Sequence, residues 1–298
     1  MKKTIAWIAA LALLAAAPAL AGSLGLALPG DDAFAALCAR GAATEAAALG
    51  FEMTAETWRD DPADAVARLA GQGAEGVAVY AGDPAAALPA IDAAAAAGLP
   101  VVLFDAIEEP EGADVCACVG SDLLACGAQL ADWVGGQTDG EAVVAVVEGG
   151  DSDGSVLRMR GFVEQCAGDH PSIAIVAAQS GGLTREGGAA AARAMLESQP
   201  EISVVYAVSD DMALGAADAC RALGRTDVLL VGMDGLPEAF EAVLDGALSA
   251  TLDRRPEAIG AGAIRALADA VVGKAREEKA VVIEAAVVDA ALAGERMN

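Results

Sequence analysis

Short apolar runs alternate with longer alanine-rich amphipathic segments along the 298-residue chain. The apolar runs have the length of buried strands, and the alanine-rich segments have the length and spacing of helices. The predicted strands lie at residues 24–28, 76–80, 101–104, 115–119, 143–147, 173–177, 203–208 and 228–233. The predicted helices include residues 34–49, 84–97, 156–166, 185–198 and 212–223. Strands that alternate with helices predict an α/β fold with parallel sheets covered by helices on both faces.

This alternation runs through the chain twice, with one set opening near Leu24 and another near Val143. No Pro- or Ser-rich linker separates the two sets, and the length of the chain suits two lobes of ordinary size. Because the strands of a parallel sheet end at one edge, the loops of both lobes would face a shared cleft. We therefore expect two similar doubly wound parallel-sheet lobes with a small ligand bound between them.

The first 21 residues predict a secretory signal. A basic start is followed by an apolar run over residues 5–17 and by a small-residue ending at residues 19–21. This order is typical of a signal peptide, here cleaved before Gly22. Ser23 stands where a lipoprotein would need its lipidated cysteine. We expect an exported, soluble and unanchored protein.

The chain is strongly acidic. It holds 18 Lys and Arg residues against 44 Asp and Glu residues, a formal charge of −26. Loss of Lys2 and Lys3 with the signal would leave 16 basic residues and a charge of −28. Such a field repels nucleic acid and anionic lipid surfaces. Beyond the signal no run of 18 apolar residues occurs, so we expect no direct membrane insertion and no nucleic-acid partner.

Six cysteines and a single histidine limit the possible metal chemistry. The spacing of Cys116 and Cys118 is not that of metal ligands, and His170 has no second histidine to work with. We expect no metal site and no cofactor. An exported chain can form disulfides, but we expect the cysteines to serve mainly as small buried hydrophobes, with at most one bridge.

The stretch GDSDG at residues 150–154 fits the G-x-S-x-G pattern that seats a serine nucleophile between a strand and a helix. A hydrolase would need a histidine base within hydrogen-bond reach of Ser152. His170 follows a predicted helix of about 11–14 residues, which would carry the chain about 16–21 Å toward the other end of the sheet. We interpret the motif as a Gly-rich turn into a helix whose first backbone N–H groups face the cleft, with hydrolysis at Ser152 as a remote alternative.

The stretch VSDDMALGAADACRALGRTDVLLVGMDGLPEAFEAVLDGALSATLDRRPEAIG at residues 208–260 resembles the second half of the periplasmic sugar-binding proteins of the ribose-binding type, which feed ABC importers. The resemblance continues through LALPGDDAFAALCARGA, GLPVVLFDA, VGSD and RMRGF, in the order of that family. It therefore covers nearly all of the chain after the signal.

The resemblance implies a type I periplasmic binding protein fold, in which three hinge crossings join two lobes that close on a ligand. The crossings would fall near residues 120–122, 253–254 and 282–285. The N-terminal lobe would comprise residues 22–121 and 254–282, and the C-terminal lobe residues 122–253 and 283–298. The helices that carry Cys126 and Cys166 would lie side by side, which makes these two cysteines the candidate disulfide.

The resemblance also implies a set of sugar contacts. Carboxylates accept hydroxyl hydrogens, guanidinium groups donate a rigid pair of hydrogen bonds, and aromatic rings cover the apolar face of a sugar. The implied ligand-binding residues are Asp32, Phe34, Asp105, Arg158, Leu183, Ser209, Asp234 and Arg254. Without the resemblance, Asp105 and Asp234 are also consistent with strand ends or helix caps, and Phe34 is also consistent with a core residue.

Five positions depart from the family pattern, namely Asp32, Ala106, Leu183, Ser209 and Arg254. Five changes in one pocket predict a ligand other than ribose. Three implied aspartates face two implied arginines, so Arg254 already has carboxylate partners and the pocket keeps a negative balance. Because an anion would be repelled by that balance, we expect an uncharged sugar or polyol.

The leading hypothesis is an exported receptor that binds a small sugar or polyol, closes, and docks on an ABC permease. It would act as a monomer in the periplasm and would not be an enzyme. The alternative is the same module used as a ligand sensor for a membrane histidine kinase or chemoreceptor. Cytoplasmic regulators related to the lac repressor share this core, but the predicted signal and the missing DNA-binding helices argue against that role.

Overall fold

The computed structural model describes residues 22–274 and 276–296. The predicted signal at residues 1–21 lies outside the described residues. Within the described ranges no helix has both the length and the apolar character needed to cross a membrane.

Two six-stranded sheets form the centre of the molecule. The first sheet is built from β1 (Ser23–Pro29), β2 (Glu52–Trp58), β3 (Val77–Tyr80), β4 (Val101–Phe104), β5 (Ala117–Gly120) and β11 (Ala280–Val282). Their order across the sheet is β11-β5-β4-β3-β1-β2, and every pairing is parallel. Leu24 and Leu26 on β1 are fully buried, as expected for a strand covered on both faces.

The second sheet repeats this plan. It contains β6 (Ala142–Glu148), β7 (Ile173–Ser180), β8 (Val204–Ala207), β9 (Leu229–Asp234), β10 (Ala250–Asp253) and β12 (Ala286–Asp289) in the order β12-β10-β9-β8-β6-β7. The strands are parallel except for β12, which pairs antiparallel with β10 at the edge. The predicted fold class of two α/β lobes with parallel sheets is confirmed.

Helices connect the strands and cover the sheets. They are α1 (Ala33–Leu49), α2 (Pro62–Gly71), α3 (Leu88–Ala96), α4 (Leu123–Gln137), α5 (Asp153–Asp169), α6 (Arg185–Ser198), α7 (Asp210–Leu223), α8 (Pro237–Leu244), α9 (Pro256–Val271) and α10 (Ala290–Arg296), with a short 3₁₀ turn at Ala85–Ala87 before α3. The predicted single helix over residues 84–97 is therefore divided between the 3₁₀ turn and α3. Pro89, near the start of α3, has no N–H to donate and suits the first turn of a helix.

Glycines allow three helix pairs to pack with their backbones in direct contact. A β-carbon at Gly260 on α9 would overlap the carbonyl oxygen of Cys38 on α1. Equivalent overlaps would arise from Gly127 on α4 against α5 and from Gly215 on α7 against α6. No side chain larger than hydrogen fits at these crossings.

The chain passes from one sheet to the other three times, after β5, after β10 and after β11. The first two crossings are tied together, because the Ser121 hydroxyl donates a hydrogen bond of 3.3 Å to the carbonyl oxygen of Arg254. Both residues are buried. The division into lobes at residues 22–121 with 254–282, and 122–253 with 283–298, stays a prediction.

The candidate disulfide between Cys126 and Cys166 is not formed, and all six cysteines are free. Helices α4 and α5 do pack against each other, but their crossing places Gly127 against Arg158 and Phe162. Cys126 lies at the crossing, whereas Cys166 follows one turn of about 5 Å further along α5. Burial raises the pKa of both thiols to about 11, so both are protonated thiols at neutral pH.

Candidate functional site

Two aspartates stand at the carboxyl ends of central strands, one in each sheet. Asp105 follows β4 and Asp234 ends β9, with φ angles of 65° and 143°. The φ of Asp234 is unfavourable for residues other than glycine, whereas the left-handed conformation of Asp105 is one that Asp and Asn adopt more readily than most residues. Backbone conformations of this kind concentrate at ligand-binding positions. Both residues are buried, so their carboxylates require partners close at hand.

Arg254 supplies the partner that both carboxylates need. Its side chain is fully buried, and its guanidinium pairs with Asp105 through Nη2 and with Asp234 through Nη1 at 3.3 Å. The guanidinium also lies 4.4 Å from the centre of the Phe34 ring, a cation–π arrangement. Burial by itself would lower the pKa of Arg254, but the two carboxylates raise it above its ordinary value. The pairing of Arg254 with carboxylates that the charge count predicted is therefore present.

Arg158 approaches the same cluster from α5. Its Nη1 lies 3.1 Å from Asp234 Oδ1 and donates a 2.8 Å hydrogen bond to the carbonyl oxygen of Val208. The Nε of Arg158 is buried and has no hydrogen-bond partner. Tyr206 steadies this part of α5, because its hydroxyl donates to the Arg158 carbonyl oxygen at 3.2 Å.

Asp32 caps the first helix. Its Oδ1 accepts a 2.8 Å hydrogen bond from the backbone N–H of Ala35, and its Oδ2 accepts a 3.4 Å hydrogen bond from the Tyr80 hydroxyl. Burial, followed by repulsion from Asp234 and Asp105, raises the pKa of the Asp32 carboxyl above its usual value. Asp32 is therefore both a helix cap and part of the acidic cluster.

A cavity of about 600 Å³ opens between the two lobes beside this cluster. The lobes meet at its edge, where a β-carbon at Gly154 would lie 2.8 Å from the carbonyl oxygen of Gly82. Its lining includes four of the eight predicted ligand-binding residues, namely Asp32, Asp105, Arg158 and Leu183. A volume of this size is within the range of small-molecule sites.

The other four predicted residues do not line the cavity. Phe34, Asp234 and Arg254 lie behind it in the buried cluster. Ser209 caps α7, where its hydroxyl oxygen accepts a 3.4 Å hydrogen bond from the Met212 N–H. The structure thus separates an inner charged cluster from an outer open cavity.

Several cavity residues were not among the predicted site residues. Trp58 lies at the end of β2 and Tyr80 at the end of β3, and three further aspartates, Asp60, Asp61 and Asp83, border the opening. Tyr80 could have been recognised as a site candidate, because it lies at the end of a predicted strand. Trp58 could not, because β2 was not predicted.

A fully buried carboxylate, Asp210, supports the turn after Asp234. Its Oδ2 accepts 2.8 Å hydrogen bonds from the N–H groups of Gly235 and Leu236, and its Oδ1 accepts a 2.6 Å bond from the Thr251 hydroxyl. Burial and, after it, the Asp234 charge raise the pKa of Asp210 to about 7, although the three hydrogen bonds act in the opposite direction. Asp210 therefore positions Asp234 without lining the cavity.

Ser152 and His170 lie at opposite ends of α5. This helix has 17 residues, more than predicted, and separates its ends by about 25 Å. The Ser152 hydroxyl donates to Ser155 Oγ at 3.0 Å, and His170 Nε2 contacts Asp132 at 2.9 Å. Ser152 and Gly154 do line the cavity, as the interpretation of a turn facing the cleft predicts.

A second cavity of about 610 Å³ lies between α1 and α9 on one side and the start of α8 on the other. It contains none of the eight predicted residues. We place the candidate site in the cleft beside Asp105, where strained backbone and paired charges from both sheets converge.

Across residues 22–274 and 276–296, no group of three or more His, Cys, Asp or Glu side chains is arranged to hold a metal ion.

Comparison with known proteins gives a consistent result. The sequence matches the family described as "Periplasmic binding protein domain" over residues 25–275. A ribose import binding protein from Salmonella typhimurium is 30% identical over 235 residues, which cover 78% of each chain. The ribose import binding protein of Bacillus subtilis is 33% identical over 203 residues, covering 68% of this chain and 65% of that one.

Solved structures of solute binding proteins share the fold of this chain. A periplasmic solute binding protein of an ABC transporter from Actinobacillus succinogenes, with bound D-allose, superimposes with a TM-score of 0.85 at 24% identity, covering 92% of this chain and 99% of that one. A solute binding protein of an ABC transporter from Mycobacterium smegmatis, with bound glycerol, gives a TM-score of 0.81 at 29% identity, covering 93% and 96%.

Proposed function

The chain belongs to the periplasmic binding protein family, and on that premise we propose that it captures a small sugar or polyol between its lobes and delivers it to an ABC import permease. The supporting observation is the cleft itself. Charged side chains from both lobes, Asp105 after β4 in one and Arg158 on α5 in the other, line one cavity between the lobes. The relatives named for ribose, and the structures that hold D-allose and glycerol, support a polyhydroxylated ligand.

The proposed ligand is uncharged. The cavity is lined by five aspartates and one arginine, Arg158, and this arginine already pairs with Asp234. Arg254, the other cation of the cluster, is occupied by Asp105 and Asp234. An anionic ligand would find no unpaired cation here and would be repelled by the aspartates.

The proposed role includes no chemical step. Ser152 serves as a helix cap, and the single histidine of the chain lies at the far end of α5. The relatives are named as import binding proteins. Binding and release of an unchanged ligand account for the groups that line the cavity.

The proposed place of action is the periplasm, where the protein would act as a monomer after removal of residues 1–21. The proposed partner is the permease of an importer. The alternative partner, a membrane histidine kinase or chemoreceptor, would use the same ligand-dependent change of shape. Neighbouring genes separate these cases, because an ATPase with a permease favours import and a histidine kinase favours sensing.

A thermal-shift screen of residues 22–298 tests the ligand class. The panel comprises D-ribose, D-allose, myo-inositol and glycerol, with D-galactose and D-galacturonate as a neutral and acidic pair. A ligand present at a hundred times its dissociation constant should add about 2.7 kcal/mol to the free energy of unfolding. We expect a neutral compound to give the largest shift. A larger shift with galacturonate than with galactose would contradict the neutral-ligand proposal.

A further inference from the structure

The inner cluster contains the chemical groups that suit a sugar. An aromatic ring offers its face to the apolar side of a sugar, and buried carboxylates accept hydroxyl hydrogens. In this chain the face of Phe34 and the carboxylates of Asp105 and Asp234 are all in contact with the Arg254 guanidinium. The Arg254 side chain therefore occupies the space between Phe34, Asp105 and Asp234 that would suit a sugar.

The open space lies elsewhere. The cavity between the lobes reaches Asp105 and Arg158 but not Phe34, Asp234 or Arg254. Its aromatic wall is formed by Trp58 and Tyr80 instead. A ligand in this cavity would lie beside the guanidinium and would not stack on Phe34.

Arg254 is held firmly in this place. It is 0% exposed, its carbonyl oxygen accepts the Ser121 hydroxyl, and two carboxylates flank its guanidinium. Displacing the guanidinium would leave Asp105 buried without its partner, which is strongly unfavourable. An incoming neutral sugar offers no charge to replace it.

We propose that Arg254 is a specificity-determining residue that fills the inner end of the cleft and confines the ligand to the outer cavity bounded by Trp58, Tyr80 and Arg158. This inference rests on the proposed function. It predicts that the wild-type protein selects small polyols over ring sugars that need the Phe34 face, and that removing the guanidinium shifts the preference toward the ring sugars.

The first test examines the position itself. In Arg254→Ala, methylguanidinium at millimolar concentration should refill the space between Phe34, Asp105 and Asp234 and raise the melting temperature by at least about 3 °C. Arg160→Ala removes a half-exposed arginine of α5 and should show no such gain. Equal changes in melting temperature of Arg254→Ala and Arg160→Ala on addition of methylguanidinium would overturn the inference. Arg254→Gln, which keeps a hydrogen-bonding group, is measured in parallel in case the alanine variant does not fold.

The second test examines specificity by calorimetry with D-ribose and glycerol. We expect the ratio of D-ribose to glycerol affinity to rise at least tenfold in Arg254→Ala or Arg254→Gln and to stay unchanged in Arg160→Ala. An unchanged ratio of D-ribose to glycerol affinity, in variants that bind both compounds, would overturn the inference while the proposed function stands. Rescue by methylguanidinium without binding of either compound in any variant would instead count against the proposed function.

Discussion

Replacing Asp105 by asparagine is expected to lower the free energy of unfolding by about 3–5 kcal/mol. The reason is that Arg254 is fully buried and pairs through Nη2 with Asp105, so the amide leaves a buried guanidinium short of one counter-charge. Asparagine tolerates the left-handed backbone at this position, where φ is 65°. The substitution therefore tests the charge and not the backbone.

Urea unfolding of the single and double variants gives the measurement. Arg254→Gln in the Asp105→Asn background replaces both partners by neutral amides and should recover much of the loss, because no unpaired charge remains at that contact. A loss below about 1 kcal/mol for Asp105→Asn alone would show that the ion pair has the small value of an exposed pair. That result would contradict the burial of the charged cluster.

Asp210→Asn is expected to change how stability depends on pH. The pKa of Asp210 is raised to about 7, above the usual value of about 3.9 for an unfolded chain. Between these values the folded protein holds a proton that the unfolded chain has lost, so this group makes stability fall as pH rises. Between the two pKa values, the free energy of unfolding falls by up to about 1.4 kcal/mol per pH unit. The stabilisation from protonated Asp210 is complete below pH 4 and lost above pH 7.

The asparagine variant imitates the protonated acid. Its carbonyl oxygen can accept from Gly235 and Leu236, and its amide can donate to the Thr251 hydroxyl oxygen, in place of the three bonds made by the carboxylate. We expect the variant to be flatter than wild type between pH 4 and 7 and at least as stable at pH 8. Asp92→Asn, at an exposed position of α3, is the control. Parallel pH profiles for wild type and Asp210→Asn would contradict the prediction.

The sequence was sufficient to predict most of the strands that are buried on both faces, but not β10, whose four residues (ATLD) are all buried yet form no continuous apolar run. Runs such as residues 101–104 and 143–147 are apolar throughout, and they form β4 and most of β6. Strand β2 was missed because its sequence, EMTAETW, alternates with polar side chains and it lies at the edge of its sheet. An edge strand exposed on one side lacks the continuous apolar run by which the others were recognised.

The cluster around Arg254 was predictable in part. The positions of Asp105 and Asp234 at strand ends follow from the pattern, and the charge count indicated that Arg254 has carboxylate partners. The pattern could not show that the guanidinium also lies on Phe34, since these residues are far apart in sequence and meet only through the packing of α1 against the hinge. For the same reason the boundary between the inner cluster and the outer cavity required the structure.

The two lobes are expected to close around a small neutral solute. Small-angle scattering of residues 22–298 tests this closure directly, with and without saturating amounts of the neutral compound that gives the largest thermal shift. In the structure the lobes already meet at Gly82 and Gly154, so the liganded protein should show a compact radius of gyration of about 19 Å. We expect the ligand-free protein to have a larger radius that falls to this value on binding. An unchanged radius at saturation would contradict closure of the lobes around the ligand.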